Sequence, residues 1–195
     1  MYDETTSGQH VELSWVQNKR WDLSHNDYFE MCRKKTAWYT CMTPAWIGAL
    51  IAGADVKFRD IIFDFGMDLG IAFQIQDDVL NLIGDEKIYG KEIGGDLWEG
   101  KRTLITIDLM KKANISESLF LREAFDMPRA DKKKADIDKI MSIIKKYGCI
   151  DNAMTISIEL ATRARSGFAR LDGSIDTAQR EIILELIDFM IDRKF

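Results

Sequence analysis

The chain has 195 residues, 46% of them hydrophobic and 30% charged, with a formal net charge of -5; it is long and apolar enough for one soluble domain with a substantial core, and disorder throughout is excluded. That acidity argues against nucleic acid as a partner, which calls for a basic stripe to displace condensed counterions. Cys32, Cys41 and Cys149 form no close CxxC pair, so they read as reduced thiols of a cytoplasmic protein and not as a zinc site or a disulfide framework.

The first thirty residues carry Asp3, Glu4, His10, Glu12 and Lys19 and lack the apolar run of a leader. No uninterrupted apolar stretch approaches the roughly 20 residues that span a bilayer, so no membrane insertion is expected. Only Pro44 and Pro128 interrupt a sequence rich in helix formers, which points to an all-α fold. From His25 to Gly53, Phe29, Cys32, Thr36, Tyr39, Met42 and Trp46 recur at three- and four-residue steps and predict one helical face, started by Ser24 or Asn26 and kinked at Pro44. A second helix is predicted from Val56 to Ile83, with Ile62, Phe65, Leu69, Ala72 and Phe73 on its apolar side and Gly84 as its stop.

Residues 84–100 hold five of the 13 glycines, interleaved with Asp85, Glu86, Lys87, Lys91, Glu92, Asp96 and Glu99. Such a mixture reads as an ordered functional loop or as a flexible lid. Amphipathic helices follow at Leu97 to Lys112, Ser116 to Phe125, Lys133 to Lys146, Asp151 to Arg170 and Asp176 to Arg193. The Lys133-Lys134 pair belongs to a solvated helix face.

The chemistry concentrates in Phe73-Gln74-Ile75-Gln76-Asp77-Asp78-Val79-Leu80-Asn81, where acids interrupt an apolar helix. Helical spacing stacks Asp77 on Asn81, sets Asp78 beside them and puts Gln74 one turn below. Adjacent carboxylates in a partly buried groove repel and are driven toward protonation unless a cation neutralises them. Oxygen donors with no histidine or cysteine nearby favour magnesium, which binds through one or two carboxylates together with phosphates and water. Downstream, Gly90-Lys91, Gly94-Gly95-Asp96 and Glu99-Gly100-Lys101-Arg102-Thr103 bring cations and close-approach glycines into one loop, and Lys34-Lys35-Thr36 adds another cation and a hydroxyl upstream.

In order and spacing, Phe73 to Asn81 followed by Gly90-Lys91, Asp96 and Gly100-Lys101 resembles the second aspartate-rich region of the polyprenyl synthetases. Lys35-Thr36 resembles that family's Lys-Thr pair, and Gly8-Gln9 with Glu12 the segment upstream of it. The likeness runs from about Gly8 to Leu109 and is greatest to the geranylgeranyl diphosphate synthase type. It implies an all-α helical bundle of the isoprenoid synthase type, incomplete at its N-terminal side, with residues 1–195 forming the C-terminal part of a single domain. It also implies condensation of an allylic diphosphate with isopentenyl diphosphate. By resemblance, Asp77 would bind magnesium directly, Asp78 and Asn81 would hold metal-bound water, and Asp96 would join that shell or orient a lysine. Lys35, Lys91 and Lys101 would contact diphosphate, Gln74 and Thr36 would bond around the reacting end, and the protein would be a homodimer.

Asn81 stands where the family usually has Asp, which leaves one donor of the water shell neutral. A first aspartate-rich motif and an upstream Arg and Lys cluster are not found. A truncated polypeptide, one half of a split enzyme completed by a chain with the first motif, and a shortened non-catalytic paralogue each fit that pattern. Little synthase activity is expected of the chain alone. A terpene cyclase would share the bundle, but its Asn/Asp, Ser/Thr and Glu triad at longer spacing is not matched by Asp77, Asp78 and Asn81.

Overall fold

The computed structural model describes residues 2–84, 92–171 and 173–192, which are helical and without strand. In chain order they form α1 (Tyr2–Gln17), α2 (His25–Cys32), a π-helical segment (Arg33–Met42), α3 (Thr43–Ile51), α4 (Arg59–Ile83), α5 (Gly95–Glu99), α6 (Leu104–Lys112), α7 (Ile115–Asp126), α8 (Lys134–Lys146), α9 (Cys149–Ala169) and α10 (Thr177–Asp192). Short 3-10 turns lie at Val56–Phe58 and Arg129–Asp131. Among the described residues, no helix is long and apolar enough to cross a membrane.

The described residues divide into two compact units, one of residues 2–9, 30–76 and 156–192, the other of residues 10–29, 77–84 and 92–155. In the first, Ala37, Met42, Ile62, Phe65, Leu69, Ala72 and Ile75 are buried, and the α4 members of this set recur at three- and four-residue steps, as its apolar stripe requires. Gly70 of α4 makes this packing possible. A Cβ there would lie 2.4 Å from both Cα and Cβ of Ala37 in the π-helical segment, so only a hydrogen lets the two backbones meet. In the second unit, Tyr28, Ile105, Leu109, Leu121, Phe125, Ile140 and Ile144 are buried. Side-chain caps fix its helix starts: Thr103 accepts from the Thr106 amide at 3.3 Å, and Asn114 accepts from the Glu117 amide at 2.9 Å.

Three elements depart from the periodicity. Residues 2–17 form a helix where none was expected. The helix from His25 is not simply kinked at Pro44: it widens into i→i−5 bonding, the Thr43 amide donating to the Trp38 carbonyl, before α3 begins with Pro44 in its first turn. A regular α-helix would drive the proline ring into the carbonyl four residues back, whereas the first turn tolerates its missing N–H. The stretch from Leu97 to Lys112 is two helices, because Gly100 takes a left-handed conformation with φ 68°. On α3 no residue is buried, and Ile47, Leu50 and Ile51 are exposed.

Gly70→Ala is expected to lower stability by about 1–3 kcal/mol through overpacking. Gly167→Ala, in a helix with nothing within 4 Å of the added methyl, is expected to raise it by up to about 1 kcal/mol. Urea unfolding of the two variants beside the wild type checks both signs.

Candidate functional site

Three of the sequence-predicted residues belong to the first unit. Lys35 and Thr36 lie in the π-helical segment and Gln74 on α4. Thr36 is buried, and its hydroxyl donates to Gln74 Oε1 at 2.7 Å. This joins the hydroxyl and the amide that the sequence placed 38 positions apart. Gly8 of α1 packs on the same stretch, where a Cβ would lie 2.4 Å from the Lys35 nitrogen. The glycine of the Gly8-Gln9 segment therefore lets α1 touch the backbone that carries Lys35.

The acidic residues belong to the second unit. Asp78 is buried and accepts the Tyr28 hydroxyl at 2.7 Å, with Tyr28 itself wholly buried. Tyr28 had no signal in the sequence, since its partner lies 50 residues away. Asp77 precedes it, half-buried, in the last turns of α4. Asn81 ties this helix end to α5: its main-chain oxygen accepts the Gly94 amide at 2.5 Å and its Oδ1 accepts the Asp96 amide at 3.0 Å. The Asp96 carboxylate in turn accepts from Lys101 Nζ at 2.7 Å, and Glu99 lies 3.3 Å from the same ammonium. Burial alone would lower the Lys101 pKa, but Asp96, Glu12 and Glu99 outweigh it and raise it above the ordinary lysine value. Lys101 thus stays charged, and Asp96 orients it.

Two further cations anchor this region. Arg102, read from the sequence as one of the loop's available charges, is 1% exposed. Its guanidinium lies 4.0 Å from the Trp21 ring centroid, pairs with Asp126 at 2.5 Å and donates to the Arg20 carbonyl at 3.1 Å and to the Gly100 carbonyl. Lys132 is 6% exposed, and its ammonium donates to the carbonyls of Leu97 at 3.1 Å, Trp98 at 2.7 Å and Phe125 at 3.2 Å. Its neighbours Lys133 and Lys134 face solvent, which hides it within a run of lysines. Burial, then Arg102, pulls the Lys132 pKa down from 10.5 to about 8 against Asp126 and Glu99. Lys91 lies outside the described residues.

Among the described residues no group of three or more His, Cys, Asp or Glu side chains comes together to hold a metal. The donor set fits magnesium in kind: two adjacent carboxylates, one buried and bonded to a tyrosine, are hard oxygen donors of the class that this ion takes alongside water and phosphate.

The sequence profile described as Polyprenyl synthetase matches residues 1–144. The chain belongs to the polyprenyl synthetase family. Among its relatives, the geranylfarnesyl diphosphate synthase of Aeropyrum pernix is 35% identical over 97% of this chain and 57% of its own length. The geranylgeranyl diphosphate synthase of Saccharolobus solfataricus is 30% identical over 97% of this chain and 55% of its own. A solved geranylgeranyl pyrophosphate synthase from Corynebacterium glutamicum, complexed with isoprenyl diphosphate and magnesium, aligns with a TM-score of 0.87 at 27% identity, over 99% of this chain and 53% of that one. The all-α architecture is therefore that of other polyprenyl synthetases, and the chain spans about half the length of the relatives it matches.

Tyr28→Phe removes a donor to a buried carboxylate and is expected to destabilise the protein by about 1–3 kcal/mol at neutral pH, read by urea unfolding. The folded protein holds the Lys132 proton less tightly (about 8) than the unfolded chain does (10.5). This residue's contribution to stability therefore grows as pH rises from about 8 to 10.5 and is lost as pH falls through 8. Against Lys132→Met, which cannot titrate, the wild type is expected to gain stability between about pH 7 and pH 10.

Proposed function

We propose that this chain carries the second aspartate-rich half of a prenyltransferase site that condenses an allylic diphosphate with isopentenyl diphosphate. The observation that supports it most directly is the Asp77-Asp78 pair at the end of α4, linked through Asn81 to the segment that bears Asp96 and Lys101. The Corynebacterium glutamicum relative, complexed with isoprenyl diphosphate and magnesium, supports the same ligand chemistry here. Magnesium, when bound, would supply Lewis-acid stabilisation of the diphosphate, held directly by Asp77 and through water by Asp78, Asn81 and Asp96.

The chain's own residues do the rest. Lys35, Lys91 and Lys101 neutralise the negative charge that builds on the diphosphate as the allylic carbon–oxygen bond breaks. Thr36 and Gln74, already bonded to each other, hold the reacting end. The alkene of isopentenyl diphosphate then bonds to the allylic carbon, and loss of a proton restores a double bond. Asp96 keeps Lys101 charged and aimed throughout.

A second reading stays within the same chemistry. Here the chain is a half-site subunit that completes or regulates another prenyl diphosphate synthase, as a homodimer or with a chain bearing the first aspartate-rich motif. Turnover of dimethylallyl and isopentenyl diphosphates would then stay at background for the purified chain and appear on adding that second chain. For both readings, calorimetry with geranyl diphosphate is expected to show uptake that requires magnesium and weakens about tenfold or more in Asp77→Ala. Magnesium-independent uptake, or equal affinity in the variant, would refute the assignment.

A further inference from the structure

The helix α5 is five residues long, too short to hold its own shape, yet it leads directly into Lys101. Its start is bonded to Asn81 of α4. At its end the carbonyls of Leu97 and Trp98 both receive the Lys132 ammonium, which also reaches the Phe125 carbonyl in the last turn of α7. One buried cation thereby closes the C-terminal ends of two helices, where main-chain carbonyls lack helical partners and a positive charge is favoured.

The junction is tight. At Gly100, with φ 68°, an added Cβ would lie 2.4 Å from the Phe125 oxygen and 3.3 Å from Lys132 Nζ. On the other side of Lys101, Arg102 donates to the Gly100 carbonyl and is itself fixed by Trp21, Arg20 and Asp126. The Lys101 side chain itself reaches Asp96 and Glu99 and takes no part in the clamp.

We propose that Lys132 is a positioning residue that fixes the end of α5 on α7 and thereby sets where the Lys101 ammonium is presented to a diphosphate. This rests on the reading of Lys101 as a diphosphate-binding cation. Lys132 touches no substrate in this scheme; it acts through the backbone of residues 97–101. An ordinary surface lysine would not bury its charge among carbonyls, and an apolar residue of the same length would leave those carbonyls without a donor.

The test is a double-mutant cycle read by calorimetry with geranyl diphosphate and magnesium, using the full chain. Lys132→Met is expected to weaken affinity about tenfold when Lys101 is present and by less than about twofold in a Lys101→Met background, because there is then no cation left to misplace. Hydrogen exchange should show faster exchange at the Lys101 and Arg102 amides in Lys132→Met, while amides in α8 keep their protection. Should Lys132→Met fail to fold, Lys132→Gln, which retains N–H donors without the charge, takes its place in the cycle. Equal losses in both backgrounds, or an unchanged affinity in the single variant, would overturn the proposal while leaving the site assignment standing. Absence of geranyl diphosphate uptake by the wild type would instead bring down the site assignment, and this proposal with it.

Discussion

Two carboxylates on consecutive residues near the end of an apolar helix set the terms for the second unit. Asp78 is buried and Asp77 half-buried, and charges so placed must be compensated or they neutralise themselves by taking up protons. The Tyr28 hydroxyl supplies part of the compensation to Asp78. A phenol donates a hydrogen bond without adding positive charge. The rest of the neighbourhood follows the same logic, with charge held by charge. Lys101 is set among Asp96, Glu99 and Glu12, and Arg102 is closed off by Asp126 and an indole face. Arg102 is buried whole, whereas Lys101 remains partly accessible.

Much of this was legible in the order of residues. Acids that interrupt an apolar periodicity stand out because nothing in helix packing asks for them, so Asp77 and Asp78 could be found without coordinates. The pairing of Thr36 with Gln74 lay in the motifs but not in their spacing, since only tertiary packing joins positions so far apart. Arg102 and Lys132 are hidden in the sequence for one reason: composition does not separate a solvated cation from one buried among carbonyls and a carboxylate. What marks Arg102 is Trp21 and Asp126, both distant in sequence. The helix at 2–17 escaped notice because Thr5, Thr6, Ser7 and Gly8 are poor helix formers, and packing on the Lys35 backbone overrides their preference. The break at Gly100 was hidden by the apolar residues on both sides of it.

The relatives add a constraint of extent. The sequence relatives and the fold comparison cover nearly all of this chain but little more than half of each relative. Within the covered part, Ile47, Leu50 and Ile51 of α3 lie exposed.

The widened turn that carries Lys35 and Thr36 ties function to chain length at single-residue resolution. A π-helical stretch is an α-helix with surplus backbone, held in place only by its surroundings. Loss of one residue between Arg33 and Met42 would remove that surplus and let the stretch relax to ordinary winding, shifting the residues within it, Thr36 opposite Gln74 and Ala37 opposite Gly70 among them. Across descendants of this sequence, substitutions within that stretch should therefore be far better tolerated than deletions.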